Sequence, residues 1–397
     1  MNQRENVKTT ALFYRDTWAE VDLSAIKNNL AGIKKQLEDG IEVMAVVKAD
    51  GYGHGARETA ETALEAGASY LGTALLDEAV ALRRNGIEAP ILVLGVTRPE
   101  DAVVAAEYGI TLTVFQADWV KKAEVFLASS LKQVSCHVKL DSGMNRIGMK
   151  QEAEIEVFAE VVKACRFLDI TGAYTHLATA DELDPTYTDE QLERFKNMAD
   201  LLEAELGKKI PCRHSANSAG AMLHRKAGFN MARIGISMYG LAPSPAVKPV
   251  LPVRLQEAFS LHSQLTHVKQ LHKGETVSYG RTYTAEEEEW IGTVPIGYAD
   301  GWIRANQSGD VLVNGRRAQI VGRICMDQMM VKLPGYTEPG TKVTLIGRQG
   351  EAYIPVDEVA ERLGTINYEI PCIISFRVPR VVKRAGEITA VHNRALD

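Results

Sequence analysis

The chain has 397 residues, 46% apolar and 24% charged, and carries a formal net charge of −6. That length exceeds one ordinary hydrophobic core and predicts two domains, while the composition argues against a disordered, fibrous or membrane-embedded chain. Both signs of charge are interspersed without a basic stripe, so neither nucleic acid nor an anionic membrane is an expected partner, and a small molecule is.

The stretch from Met1 to Trp18 is mixed polar and lacks the apolar core of a signal peptide, and no run approaches the ~20 apolar residues of a spanning helix. The mature chain is therefore expected to begin near Met1 and to stay in the cytoplasm. Five scattered cysteines, Cys136, Cys165, Cys212, Cys325 and Cys372, predict neither a disulfide framework nor a Cys-x-x-Cys metal site, so a reducing compartment and no metal are expected. Residues 1–16 are read as a segment that packs with the second domain. An amphipathic helix follows over 24–37, with Ser24 or Asp22 as its N-cap, placed to plug the floor of what comes next.

From Val43 onward, short β-branched runs alternate with helical stretches rich in Ala, Glu and Leu, the pattern of βαβ units on a parallel sheet. Eight runs are counted, over 43–48, 70–74, 90–95, 111–115, 134–140, 170–176, 211–215 and 232–236. Eight imply closure into a (β/α)8 TIM barrel over 17–250; an open Rossmann-like sheet is the competitor, and about 200 residues of regular alternation favour the barrel. The segment YGLAPSPAVKPVLP at 239–252 holds four of the fourteen prolines and marks a boundary. Beyond it, 251–397 reads as a mainly β domain, with Asn314-Gly315 as a two-residue hairpin turn and 286–289 as a solvated acidic turn.

Barrel chemistry sits at the C-terminal ends of the strands. Those ends carry Lys48, Lys139 and Asp141 with Arg146 just after, His176, His214 with Asn217 and Ser218, and Arg233. Lys48 would emerge from a dry run beside an open glycine-rich loop, where desolvation favours a nucleophilic amine able to form a Schiff base; a lysine simply reaching water is the plain alternative. The glycines of that loop recur at spacing two and do not form a dinucleotide fingerprint. Ser218 and the run 233–236 lie where barrels often hold a phosphate. His176 and His214 read equally as hydrogen-bonded core histidines, and lysine in place of a His-x-His pair at the first strand disfavours a metallohydrolase.

The segment VVKADGYGHG at 46–55 closely resembles the cofactor-lysine segment of alanine racemases. The resemblance continues through KLDSGMNRIG at 139–148, YTHLA at 174–178, HSANS at 214–218, RIG at 233–235, VSYG at 277–280, GYADG at 297–301 and CMD at 325–327, and so covers both domains. It implies pyridoxal 5′-phosphate as cofactor, held on Lys48, with Lys48 and Tyr279 as the two proton-transfer bases. Tyr279 would come from the partner subunit of a homodimer, and His176 would be its hydrogen-bond partner. Arg233 would face the pyridine nitrogen. Tyr52, Ser218, Gly235, Ile236 and Tyr368 would hold the phosphate, with Asn217 beside them, and Arg146 and the backbone at Met326 would hold the substrate carboxylate.

Two bases follow from the chemistry that the family performs, because one side chain cannot serve both faces of a planar carbon. Free tyrosine titrates near ~10, so Tyr279 needs donor or positive neighbours to act near neutrality. Arg233 cannot accept a proton from the pyridine ring, which restrains side reactions such as transamination. Lys139 beside Arg146 is either carbamylated, as in some members, or paired with Asp141 or another acid. Tyr298, Tyr368 and Met326 would line a tight pocket for a methyl group, although related racemases act on serine or on larger and basic amino acids. The implied role is supply of D-alanine for peptidoglycan. A related decarboxylase of basic amino acids would need a carboxylate at the position of Arg233, and a non-catalytic cofactor carrier would lack the second domain.

Overall fold

The computed structural model describes residues 13–224 and 229–396, so the expectations for 1–12 lie outside it. The chain divides into two units. Among the described residues, one comprises those within 26–52 and 56–255, the other 13–25, 53–55 and 256–396.

The first unit holds the barrel. Preceded in sequence by β1 (Thr17–Asp22), its strands are β2 (Glu42–Val46), β3 (Tyr70–Thr73), β4 (Ile91–Val93), β5 (Thr111–Val114), β6 (Val134–Lys139), β7 (Leu168–Tyr174), β8 (Cys212–His214) and β9 (Met231–Ile234). They pair in parallel in the order β8-β7-β6-β5-β4-β3-β2-β9. Two main-chain bonds cross the remaining seam between β8 and β9, from Asn230 N–H to the Arg213 carbonyl at 3.2 Å and from Arg233 N–H to the Ala216 carbonyl at 3.0 Å. This is a TIM-type barrel, and an open Rossmann-like sheet does not describe it.

The connecting helices follow from their apolar spacing. The helix Glu152–Ala164 buries Ile155, Phe158, Ala159 and Val162, one face of a 3.6-residue period, and the Glu154 carboxylate accepts the Gln151 N–H at 2.8 Å to close its first turn. Of the two caps expected for the helix Leu23–Lys34, Asp22 takes the role: its Oδ1 accepts from the N–H groups of Ser24 and Ala25 at 2.8 and 3.3 Å. Among the described residues no helix is long and apolar enough to cross a membrane.

The second unit is mainly β. Its strands are β10 (Phe259–Gln264), β11 (His267–Leu271), β12 (Thr276–Val277), β13 (Tyr283–Thr284), β14 (Glu289–Val294), β15 (Asp310–Val313), β16 (Arg316–Val321), β17 (Met329–Leu333), β18 (Lys342–Gln349), β19 (Ala352–Ile354), β20 (Arg380–Arg384) and β21 (Glu387–His392). Asn314 and Gly315, both at positive φ (50° and 73°), turn β15 into β16 as the dipeptide predicts.

Two expectations need correction. Thr17–Asp22, placed by the sequence at the start of the barrel domain, is instead a strand of the second unit: β1 runs antiparallel to β10 and parallel to β20. Strand pairing supplies the partners for its main-chain groups, and those partners lie far along the chain. The acidic run at 286–289 is not wholly a solvated turn, because Glu289 opens β14, is buried, and pairs with Lys332 at 2.9 Å. A buried carboxylate needs such a partner.

Candidate active site

The strand ends of the barrel gather most of the residues singled out in the sequence. The run expected to end at Lys48 stops at Val46 in the structure, and Lys48–Tyr52 is a separate turn. It is left-handed: φ is 52° at Ala49, 54° at Asp50, 60° at Gly51 and 54° at Tyr52. Only glycine adopts this region freely, and each other residue there costs roughly 1–2 kcal/mol. The Asp50 carboxylate accepts the Ala56 N–H at 3.0 Å and the Val47 carbonyl accepts the Gly51 N–H at 2.9 Å, which ties the turn at both ends. The Lys48 amine then lies 5.9 Å from the centre of the Tyr52 ring. Tyr52 packs 4.8 Å from the ring of Tyr239, whose hydroxyl donates to the Val46 carbonyl at 3.0 Å.

A second group of residues forms around Gly235. Its N–H donates to the Ser218 hydroxyl at 3.0 Å, and a Cβ at this position would stand 2.6 Å from the Tyr52 hydroxyl. Glycine is therefore required where two hydroxyls and a main-chain N–H converge, and Ile236 follows, buried, as the start of a short turn. Asn217 caps the helix Ser218–Leu223 by accepting the Gly220 N–H at 2.9 Å.

Arg233, on β9, is buried. One guanidinium nitrogen donates to His214 Nδ1 at 2.8 Å and to the His214 carbonyl at 3.2 Å, the other to the carbonyls of Thr175 and Ser215 at 2.8 and 2.9 Å. His176 Nδ1 stands 3.4 Å from that second nitrogen. Because Arg233 donates to Nδ1, neutral His214 carries its proton on Nε2 and donates it to His137 Nδ1 at 2.9 Å. Tyr174 stacks on His214 with ring centres 4.8 Å apart. His137, His214 and Cys212 bring potential metal-ligand atoms within 4.8 Å of one another, and the Nδ1 atoms of both histidines already accept hydrogen bonds in this chain.

The electrostatics are those of crowded cations. Burial, with Arg233 next and then Arg146, Lys139 and Lys48, holds His176 well below its ordinary value, so it is a neutral imidazole near pH 7. Burial and then Arg233 lower Lys139 to about 7, with Arg146 adding to the shift and Asp141 opposing it. The alternative pairing of Lys139 with Asp141 finds that carboxylate turned to the main chain, where it accepts from the N–H groups of Gly143, Asn145 and Arg146 at 2.9, 2.9 and 3.1 Å. Asp141 thereby shapes the loop that carries the exposed Arg146, while Lys139 donates to the Leu140 carbonyl at 2.9 Å.

The remaining predicted residues belong to the second unit. Tyr279 is 73% exposed, between Ser278 (φ 67°) and Gly280 (φ 73°). The Ser278 hydroxyl donates to the Arg323 carbonyl at 2.6 Å and fixes the turn. The N–H groups of Tyr298 and Ala299 donate to the carbonyls of Cys325 and Met326, each at 3.0 Å, so the GYADG and CMD segments are bound together. A Cβ at Gly297 would fall 2.3 Å from the Cys325 carbonyl, which accounts for the glycine. Asp300, fully buried, accepts from Gly297 N–H at 3.1 Å and from both terminal nitrogens of Arg15 at 2.7 and 3.0 Å. Tyr368 immediately precedes the helix Glu369–Ile373.

Pyridoxal phosphate asks for an amine, a cradle for its phosphate and a partner for its ring nitrogen. Lys48, the hydroxyls and N–H around Gly235, and the buried guanidinium of Arg233 meet these three demands at one barrel mouth. Sequence reasoning did not single out His137, Tyr174 or the anchoring part of Asp300. A histidine at an inward strand position, His137, was the signal available for the first.

Residues 21–243 match the alanine racemase N-terminal domain family and residues 258–382 the alanine racemase C-terminal domain family. The chain is similar to the alanine racemase of Geobacillus kaustophilus (strain HTA426), 55% identical over 381 residues that make up 96% of this chain and 98% of that protein. It is 51% identical over 390 residues to alanine racemase 1 of Bacillus subtilis (strain 168), 98% of each chain. Its fold matches the crystal structure of alanine racemase from Bacillus anthracis with bound L-Ala-P at a TM-score of 0.95 and 50% identity, covering 98% of this chain and all of that one.

Proposed function

The chain belongs to the alanine racemase family, and from that premise we propose that it interconverts L- and D-alanine with pyridoxal 5′-phosphate by a two-base mechanism using Lys48 and Tyr279. The observation that carries this reading is the buried guanidinium of Arg233, fixed by three carbonyls and His214, at the same mouth as Lys48. When bound, the cofactor withdraws electrons from Cα and acidifies its proton. Lys48 then holds or moves that proton on one face and Tyr279 on the other. Arg233, permanently charged and hydrogen-bonded on several sides, presents a donor that takes no proton in return, which keeps the withdrawal moderate and favours return of the proton to Cα.

Tyr52, Ser218 and the N–H groups of Gly235 and Ile236 supply donors to the phosphate, with Asn217 holding the helix that carries Ser218, and Tyr368 completes the set. Arg146 and the backbone at Met326 hold the substrate carboxylate, and Tyr298, Tyr368 and Met326 restrict the side chain to a methyl group. Tyr279 acts in the site of the partner subunit of a homodimer, and neutral His176, whose Nδ1 faces the Arg233 guanidinium, can donate a hydrogen bond from Nε2 to its phenol oxygen. The barrel domain is taken as 17–250 apart from β1, and the β-domain as 251–397. The enzyme works in the cytoplasm and supplies D-alanine for peptidoglycan.

Incubation of L-alanine with the purified protein and pyridoxal phosphate in deuterated solvent should abolish optical rotation as deuterium enters at Cα, with serine and lysine reacting more slowly. No exchange with any of the three, despite bound cofactor, would overturn the reading. The buried, partly neutral amine of Lys139 is suited to capture carbon dioxide, and the resulting carbamate anion would steady Arg146. Protein equilibrated with carbon-13 bicarbonate should then show a carbamate carbonyl resonance that is absent from Lys139→Arg; equal signals in both proteins would refute the modification.

A further inference from the structure

We propose that Glu78 is a positioning residue for the cofactor lysine, its carboxylate locking the left-handed turn that aims Lys48. The inference rests on Lys48 as the residue that carries pyridoxal phosphate. Glu78 lies in the first turn of the helix Leu76–Arg84, and its two oxygens face different segments. Oε1 accepts the Ala49 N–H at 2.7 Å, and Oε2 accepts the N–H groups of Ala74 and Leu75 at 2.8 and 3.2 Å. One side chain therefore ties the turn that follows β2 to the end of β3.

The Ala49 N–H belongs to the peptide that joins Lys48 to Ala49. Holding it fixes ψ of Lys48 and φ of Ala49 together, and so sets the direction in which the lysine side chain leaves the backbone. That constraint is needed because Ala49, Asp50 and Tyr52 occupy a region that residues with a Cβ leave readily when nothing opposes it. Asp50 and Gly51 are tied through Ala56 and Val47, and Glu78 restrains the first left-handed residue, next to the amine-bearing one. Bonds to an ionised carboxylate are the stronger kind. Glutamine cannot replace it, since its NH2 group would point at an N–H on one side or the other.

Glu78→Ala, Glu78→Gln, the double variant Glu78→Ala with Ala49→Gly, and Lys48→Ala are compared with the wild-type holoenzyme. The readouts are pyridoxal phosphate affinity by titration, the site of borohydride-trapped attachment by mass spectrometry, and the melting temperature. Loss of a hydrogen bond to a charged acceptor should weaken cofactor affinity on the order of tenfold or more in Glu78→Ala. Ala49→Gly should restore most of it, because glycine needs no clamp to hold a positive φ. A residue that merely starts its helix would lower the melting temperature and leave affinity and trapping unchanged, with no rescue by Ala49→Gly, and that result overturns the proposal. Should Glu78→Ala fail to fold, Glu78→Gln keeps the volume and decides in the same way. Wild-type trapping that misses Lys48 would overturn the cofactor assignment and this inference with it. Trapping on Lys48 with normal affinity in both Glu78 variants would overturn this inference alone.

Discussion

Tyr279→Phe is expected to lower racemisation by roughly 10²- to 10⁴-fold, the usual weight of a general base, while the bound cofactor keeps its absorbance. The substitution removes one oxygen and leaves the ring. Tyr279 is 73% exposed, and its turn is fixed by Ser278 and Gly280, not by the phenol, so the fold should be unaffected. Lys48 would still serve its own face, so one enantiomer of alanine should continue to exchange its Cα hydrogen with solvent deuterium and keep its configuration. Polarimetry and proton NMR on each enantiomer separate the two processes. Full racemisation by the variant would end the two-base assignment. Because burial and neighbouring cations hold His176 well below its ordinary value, the pH–rate profile should show no titration attributable to it near neutrality.

Lys48→Ala should be more damaging still, beyond the ~10⁴-fold upper end of a single base, because in the proposed mechanism one side chain supplies both the covalent hold on the cofactor and a proton-transfer group. The same variant tests whether sites are shared. Lys48→Ala and Tyr279→Ala homodimers should each be inactive. After subunit exchange, a mixed dimer would contain one site with the lysine of one chain and the tyrosine of the other intact, and one site lacking both. Random exchange would then restore about a quarter of wild-type activity, as two-fold symmetry requires. No recovery, with exchange verified by mass, would show that each site is built from a single chain.

Much of the barrel was legible because its signal is local. Eight apolar β-branched runs separated by amphipathic helices can be counted without knowing which strand lies beside which, and each predicted run lies on a strand of the parallel sheet. The candidate site residues were legible for a related reason: a lysine, two histidines and an arginine at the ends of apolar runs are out of place in a core. Tyr279 was different. Nothing in its exposure or spacing marks it, and only the Ser-Tyr-Gly resemblance pointed to it.

What the linear chain determined by itself was therefore the identity and order of the strands, the residue types at their ends, and the glycines and capping residues of individual turns, all of which depend on neighbours a few positions away. Tertiary structure alone decided that Thr17–Asp22 joins β10 and β20, that His137 continues the hydrogen-bond chain from Arg233 through His214, and that Glu78 holds the amide after Lys48. Each of these depends on hydrogen-bond partners brought together by chain closure, and the affinity of an N–H for a distant oxygen leaves no period or motif in the sequence around it.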